Sequence, residues 1–354
     1  MTAHMSAHMS AQEIFLLDVD SVLVRPLGYR AALRATVDHF RARMGLRSDP
    51  PNDAEIDEFE AHGFGSEWHS VPVCVAGTLA QAAEARPDLW RGTLDETLAA
   101  VAEAAPDLPR PDYAALVHAI GADAVWSDML APRRALAYFA ARTPPHARPV
   151  LDALLARTYD VASPATRVFQ HHTLGSARFP ATYGIAPEFE TESLLMAMDE
   201  PLLAPEARAL LRAARLPYAV YTARPSLPPA GEDATGFAPE AEMACALVGL
   251  ADAPVIGYGH VAWLAQQHGA HPDAYVKPSP VQALAAVAAA LVNAASPVAL
   301  HAALAVADAG ALPEPFAALQ SGAETVRISV FEDTPAGRRR SRRPGRRCAG
   351  PASR

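Results

Sequence analysis

The chain has 354 residues, 51% of them hydrophobic and 19% charged, enough for one large core and a second domain. Its formal net charge of −9 argues against nucleic acid or an anionic membrane as partner of the main body. Cys74, Cys245 and Cys348 are odd in number, far apart and lack a C-x-x-C spacing. Reduced thiols of a cytoplasmic protein are expected, not a disulfide framework or a zinc site.

The first twelve residues, MTAHMSAHMSAQ, are small and polar and read as a flexible leader without a secretory signal. IFLLDVDSVLV (14–24) follows. Its Ile, Leu and Val run predicts a buried strand over about 13–20, yet it carries Asp18 and Asp20. Carboxylates belong on a buried strand only where its end opens onto something that needs them.

A long helical stretch comes next. YRAALRATVDHFRARMG places Leu33, Val37, Phe40 and Met44 on one face and ends at Gly45. NDAEIDEFEAHG starts at an N-cap, Asn52, and stops at Gly63. Five further segments, from TLDETLAAVAEAA to APEARALLRAAR, repeat the helical period. Near residue 217 the period changes. LPYAVYTAR (216–224), APVIGYG (253–259) and ETVRISVFED (324–333) read as strands separated by helices, the pattern of a doubly wound parallel sheet. The most apolar region, 280–308, is interrupted by Gln282, Asn293, Ser296, Pro297 and His301. It predicts two packed alanine-rich helices and no membrane span. The expected architecture is an α/β core (13–25 and 206–337) carrying a helical insertion (26–205).

Open parallel sheets place ligand sites at the carboxyl ends of their strands. Those ends hold Asp18 and Asp20, Thr222 and Arg224, and Glu332 and Asp333, with Lys277 in the loop YVKPSP. Acids, a hydroxyl and an ammonium from four segments suit phosphate-ester chemistry. Carboxylates and waters hold Mg²⁺. One carboxylate attacks phosphorus, and a second acid serves the leaving alkoxide and the water. The hydroxyl and the lysine hold the phosphoryl oxygens.

These segments resemble, in order, the four motifs of the haloacid dehalogenase superfamily: LLDVDSVLV, VYTARPS, VKPSP and VFEDTPAG. The resemblance covers strand 1 and about 217–337. It implies a Rossmann-like core with a helical cap, as in phosphoglycolate-phosphatase-like members. It implies Asp18 as nucleophile and Mg²⁺ ligand, and Asp20 as general acid/base, ligating through its carbonyl. Thr222 and Lys277 would bind the phosphoryl group, Asp333 would be a direct metal ligand, and Glu332 would act through water. Arg224 is added here as a phosphate contact. An acid at Asp20 favours phosphoryl transfer over carbon–halogen cleavage. The implied activity is a Mg²⁺-dependent phosphohydrolase acting on a small phosphorylated metabolite. A phosphotransferase or phosphomutase, or a non-catalytic phosphate-binding protein, are the alternatives. Ser21 stands where the motif has glycine, and a serine suits that turn if its φ is negative.

The last seventeen residues carry eight arginines and no acid. With Pro344, Gly345 and Pro351 they cannot form the helix expected to cover the sheet. Three readings stand: a polybasic arm for nucleic acid or anionic lipid, a disordered solvated tail, or a frame shift near Gly337. The third accounts for the abrupt break in composition just after an intact motif. His171–His172 reads as a surface or packed pair, since neighbours on a helix point about 100° apart. Trp68, His69 and Arg178 lie in glycine-containing segments of the insertion, where packing or substrate selection is expected.

Overall fold

The computed structural model describes residues 12–333, apart from 48, 105–107, 123–128, 214–215, 311 and 323–325. The leader through residue 11, the arginine-rich tail and the frame-shift point at Gly337 lie outside the described residues.

The chain is mixed α/β and mostly helical. Among the described residues, the first strand, β1 (Gln12–Leu17), is followed by β2 (Val24–Arg25) and the α-helices α1 (Leu27–Arg43), α2 (Asp53–Ala61), α3 (Glu67–Ala82), α4 (Leu94–Ala104), α5 (Tyr113–Ala122), α6 (Ala131–Ala140), α7 (Arg148–Leu155), α8 (Pro164–Tyr183) and α9 (Leu194–Met198). Then come β3 (Glu200–Pro201), α10 (Pro205–Ala213), β4 (Tyr218–Tyr221), α11 (Glu240–Leu247), β5 (Val255–Ile256) and α12 (Tyr258–Gln267). The described chain closes with α13 (Pro280–Val292), α14 (Pro297–Ala309), α15 (Ala317–Gly322) and β6 (Val326–Phe331).

Two compact units result. Among the described residues, one holds those up to 26 and from 199 onward, the other those from 27 to 198. The sequence boundary at 205 is therefore corrected to 198/199. The cause is a ribbon too short to leave a periodic signal: Val24 and Arg25 of β2 pair antiparallel with Pro201 and Glu200 of β3. That pairing ties the chain back to the sheet unit before α10 begins.

Four strands form a parallel sheet in the order β5-β4-β1-β6. Alternation along the strands decides which face each side chain serves. Ile14, Leu16, Ala219 and Tyr221 point to one face, covered by Leu264, Ala285, Ala289, Leu300 and Ala303 of α12–α14. Leu17 and Val220 point to the other, packed against Ala241, Ala244 and Cys245 of α11. Each fully buried Leu or Ile contributes roughly 1.5–3 kcal/mol by leaving water. The alanines of α13 and α14 let the two helices lie close together, as the interrupted apolar region predicts. Among the described residues no helix is long and apolar enough to cross a membrane.

The helical unit follows its caps. Asn52 Oδ1 accepts from the Glu55 N–H at 3.0 Å, and Glu55 Oε2 accepts from the Asn52 N–H at 2.9 Å. This reciprocal capping box starts α2. Trp68 is buried edge-on against Phe169, and His69 stacks edge-on with Tyr159. His171 packs on Phe179 and Phe189 and His172 on Phe189, so the histidine pair is a packed one.

Candidate active site

The sheet is why the acids meet. β1 stops at Leu17, β4 at Tyr221 and β6 at Phe331, so Asp18, Thr222 and Glu332 each occupy the position just past a strand end. The tips are joined by backbone bonds: the Asp18 N–H donates to the Phe331 carbonyl at 3.0 Å, and the Thr222 N–H to the Ile256 carbonyl at 3.1 Å.

Lys277 sits at the centre. Its Nζ lies 2.8 Å from Asp18 Oδ2 and 2.7 Å from Glu332 Oε2. It also stands 4.2 Å from the centroid of the Tyr221 ring, a cation–π contact. The Tyr221 hydroxyl donates to Glu332 Oε2 at 2.9 Å. Carboxylate oxygens of Asp18, Glu332 and Asp333 lie within 4.8 Å of one another. Burial pushes the Asp18 carboxyl up to about 7, with Lys277 pulling the other way and Glu332 adding to the rise. Burial also pushes Glu332 up, but hydrogen bonds from Asp18, Lys277 and Tyr221 outweigh it and hold that carboxyl at about 2.

A second cluster lies two residues along from Asp18. Arg224 is buried, and its Nε and Nη2 donate to Asp20 Oδ1 at 2.9 and 2.6 Å. Nη2 also donates to Asp199 Oδ2 at 2.9 Å. Expected at a phosphate, Arg224 instead has these nitrogens committed to two carboxylates. Charge-assisted bonds of this kind fix a side chain's orientation, here that of Asp20. Thr222 Oγ1 accepts from the Arg224 N–H at 3.2 Å.

Ser21, between the two clusters, adopts φ +59°. The condition under which serine suits this turn, a negative φ, is therefore not met. The turn closes with the Ser21 N–H donating to the Val24 carbonyl at 2.8 Å and the Val24 N–H to Val19 at 3.0 Å. So tight a reversal requires the left-handed region that glycine would enter without strain.

Three contributors escape a reading by motif. Gln282, fully buried in the first turn of α13, donates through Nε2 to the Thr222 carbonyl at 2.7 Å and the Ile256 carbonyl at 3.1 Å. Its Oε1 accepts from the Lys277 N–H at 2.9 Å. One amide thus joins the β4 tip, the β5 tip and the lysine loop. Its only trace in the sequence is a lone amide in an alanine-rich run. Tyr221 is a polar ring ending an apolar strand. Asp199 leaves no local signal, because its partner Arg224 lies 25 positions further along the chain.

No family profile matches this chain, and no curated protein does. Among solved structures, it is similar to a Northeast Structural Genomics Consortium target determined by X-ray crystallography. The identity is 14%, with 78% of this chain and 77% of the other covered, at a TM-score of 0.55. The likeness is one of fold.

Proposed function

We propose that the protein is a Mg²⁺-dependent phosphohydrolase that cleaves the phosphate monoester of a small metabolite through an aspartyl-phosphate. The carrying observation is the Lys277 ammonium set between Asp18 and Glu332 at 2.8 and 2.7 Å, at the carboxyl ends of parallel strands. The donor set fits the ion. Three carboxylates with oxygens within 4.8 Å of one another offer hard ligands, and two of them flank the Lys277 ammonium. Asp18, the Asp20 carbonyl and Asp333 would hold Mg²⁺, with Glu332 acting through water. When bound, the ion screens the phosphoryl charge and favours the carboxylate form of Asp18.

In this reading Asp18 attacks phosphorus as the bond to the ester oxygen breaks. Asp20 gives its proton to the leaving alkoxide, then takes one from the water that attacks the phosphoaspartate, and phosphate departs. Lys277 neutralises the phosphoryl oxygens and steadies Asp18, and Thr222 contributes a hydroxyl at the β4 tip. The inserted helical unit is the cap that selects the substrate. The same Asp18 with a second acceptor would make a phosphotransferase or phosphomutase.

The test is Mg²⁺-dependent release of inorganic phosphate from an aryl phosphate, with Asp18→Asn as comparison. We expect the variant to lose at least ~10³-fold, since the nucleophile is gone. Equal turnover by Asp18→Asn would overturn the assignment. One observation favours a second reading, a phosphate-binding protein without turnover: Asp20 is already engaged by buried Arg224 at 2.6 and 2.9 Å. Tight binding of a phosphate analogue with no release of phosphate would support it.

A further inference from the structure

A second set of metal-ligating side chains lies in the helical unit, formed by Glu58 of α2, His62 just past its end, and His118 of α5. One carboxylate oxygen of Glu58 and one nitrogen from each imidazole lie within 4.8 Å of one another. His118 Nε2 is 2.7 Å from Glu58 Oε2, and the two imidazole centroids are 4.3 Å apart. We propose that these three residues form a binding site for a divalent transition-metal ion, specifically Zn²⁺, unrelated to the strand-tip cluster.

Three features argue for a built site. The first is the tautomer of His62. Its Nδ1 lies 2.8 Å from the Glu58 carbonyl oxygen, which can only accept. In the neutral ring Nδ1, which also lies 3.7 Å from Glu58 Oε2, then carries the hydrogen, and Nε2 is the nitrogen with a lone pair for a ligand. Fixing one ring nitrogen by a backbone carbonyl is how metal-ligating histidines are commonly oriented.

The second is the space cleared for that ring. A Cβ on Gly121 would stand 2.8 Å from His62 Cδ2, the carbon next to Nε2. Glycine inside a helix costs about 1 kcal/mol relative to alanine. Here its bare backbone lets the His62 imidazole approach α5 one turn from His118. Arg134 Nη2, donating to the His62 carbonyl at 2.6 Å, holds the backbone at the same place.

The third is donor chemistry and access. Two imidazoles and a carboxylate suit a borderline ion such as Zn²⁺, which takes three protein ligands and keeps a fourth position for water. Tetrahedral bonding needs donors about 3.4 Å apart at Zn–ligand lengths near 2.1 Å. His118 Nε2 and Glu58 Oε2, 2.7 Å apart, would separate to admit the ion, and the half-exposed His118 side chain has room to do so. Glu58 also lines an open cleft with Asn52, Glu55, Arg110 and Asp112, and the exposed His118 side chain leaves the cluster open to solvent. Bound there, the ion would join α2 to α5.

The test is calorimetric titration of Zn²⁺ into the full chain in excess Mg²⁺, comparing the protein with His118→Phe and Glu58→Gln. Phenylalanine keeps a flat ring against His62 but supplies no lone pair. The strand-tip carboxylates are identical in all three proteins, so the difference isolates this cluster. We expect one Zn²⁺ site to weaken at least tenfold or vanish in each variant. We also expect the Zn²⁺-induced rise in Tm of the unsubstituted protein to be lost. Superimposable isotherms for all three would overturn the proposal and leave an imidazole stack with a helix-end hydrogen bond. Should His118→Phe fold poorly, the isosteric Glu58→Gln carries the test alone.

Discussion

Replacing Lys277 with methionine keeps a long apolar stem and removes the charge. The ammonium lies 2.8 Å from Asp18 and 2.7 Å from Glu332, and all three side chains are largely buried. At an effective dielectric of ~20, each contact carries about 6 kcal/mol of Coulomb attraction, much of it offset by desolvation. What the substitution exposes is the penalty of two facing buried carboxylates with no cation, about 3–5 kcal/mol for a broken buried pair. For a unit of this size that lowers Tm by on the order of 10 °C. The assay is urea unfolding in EDTA, run as a double-mutant cycle with Glu332→Gln. In the unsubstituted protein Glu332→Gln should destabilise, because Lys277 and Tyr221 lose their acceptor. In the Lys277→Met background, measured at a pH well above 7 where Asp18 as well as Glu332 is ionised, it should stabilise by at least ~1 kcal/mol, because it removes one of two repelling charges. A loss below ~1 kcal/mol for Lys277→Met, or the same sign for Glu332→Gln in both backgrounds, would refute this electrostatic account.

Protonation makes a related prediction. The folded Asp18 carboxyl is raised from 3.8 to about 7, so between those pH values the folded state binds more protons than the unfolded. In EDTA, stability relative to Asp18→Asn should therefore fall as pH rises through that window, by at most ~1.4 kcal/mol per unit, as read from urea midpoints. Glu332, held at about 2 instead of 4.5, works in the opposite sense: its contribution is present above 4.5 and is lost on acidification below it. Gln282→Leu should cost about 2–4 kcal/mol, because buried backbone groups of Thr222, Ile256 and Lys277 each lose a partner. An unchanged urea midpoint would show that this amide does not brace the site. Ser21→Gly should raise stability by about 0.5–1 kcal/mol by relieving the φ of +59°. A lowered midpoint would mean the serine side chain makes compensating bonds.

Much of the site is legible in the residues because it lies where strands stop. An apolar run ending in an acid marks both a buried strand and the place where its end meets solvent, so Asp18, Thr222 and Glu332 can be placed from local pattern. The same holds for the Asn52 cap of α2, whose signal spans four residues. The two-residue strands β2 and β3 are invisible by that route, and with them the true start of the second sheet segment near residue 199.

The amino-acid order by itself determined the parallel α/β core, the helical insertion and the identity of the acids at the strand ends, because hydrophobic period and strand termination are local properties. Tertiary structure alone decided the partners: Lys277 between Asp18 and Glu332, Arg224 between Asp20 and Asp199, and Gln282 across three loops. Those contacts join residues up to 259 positions apart, as Lys277 is from Asp18. A charge removed from water takes whatever opposite charge or dipole the fold brings within 3 Å, and no local period encodes which one that is.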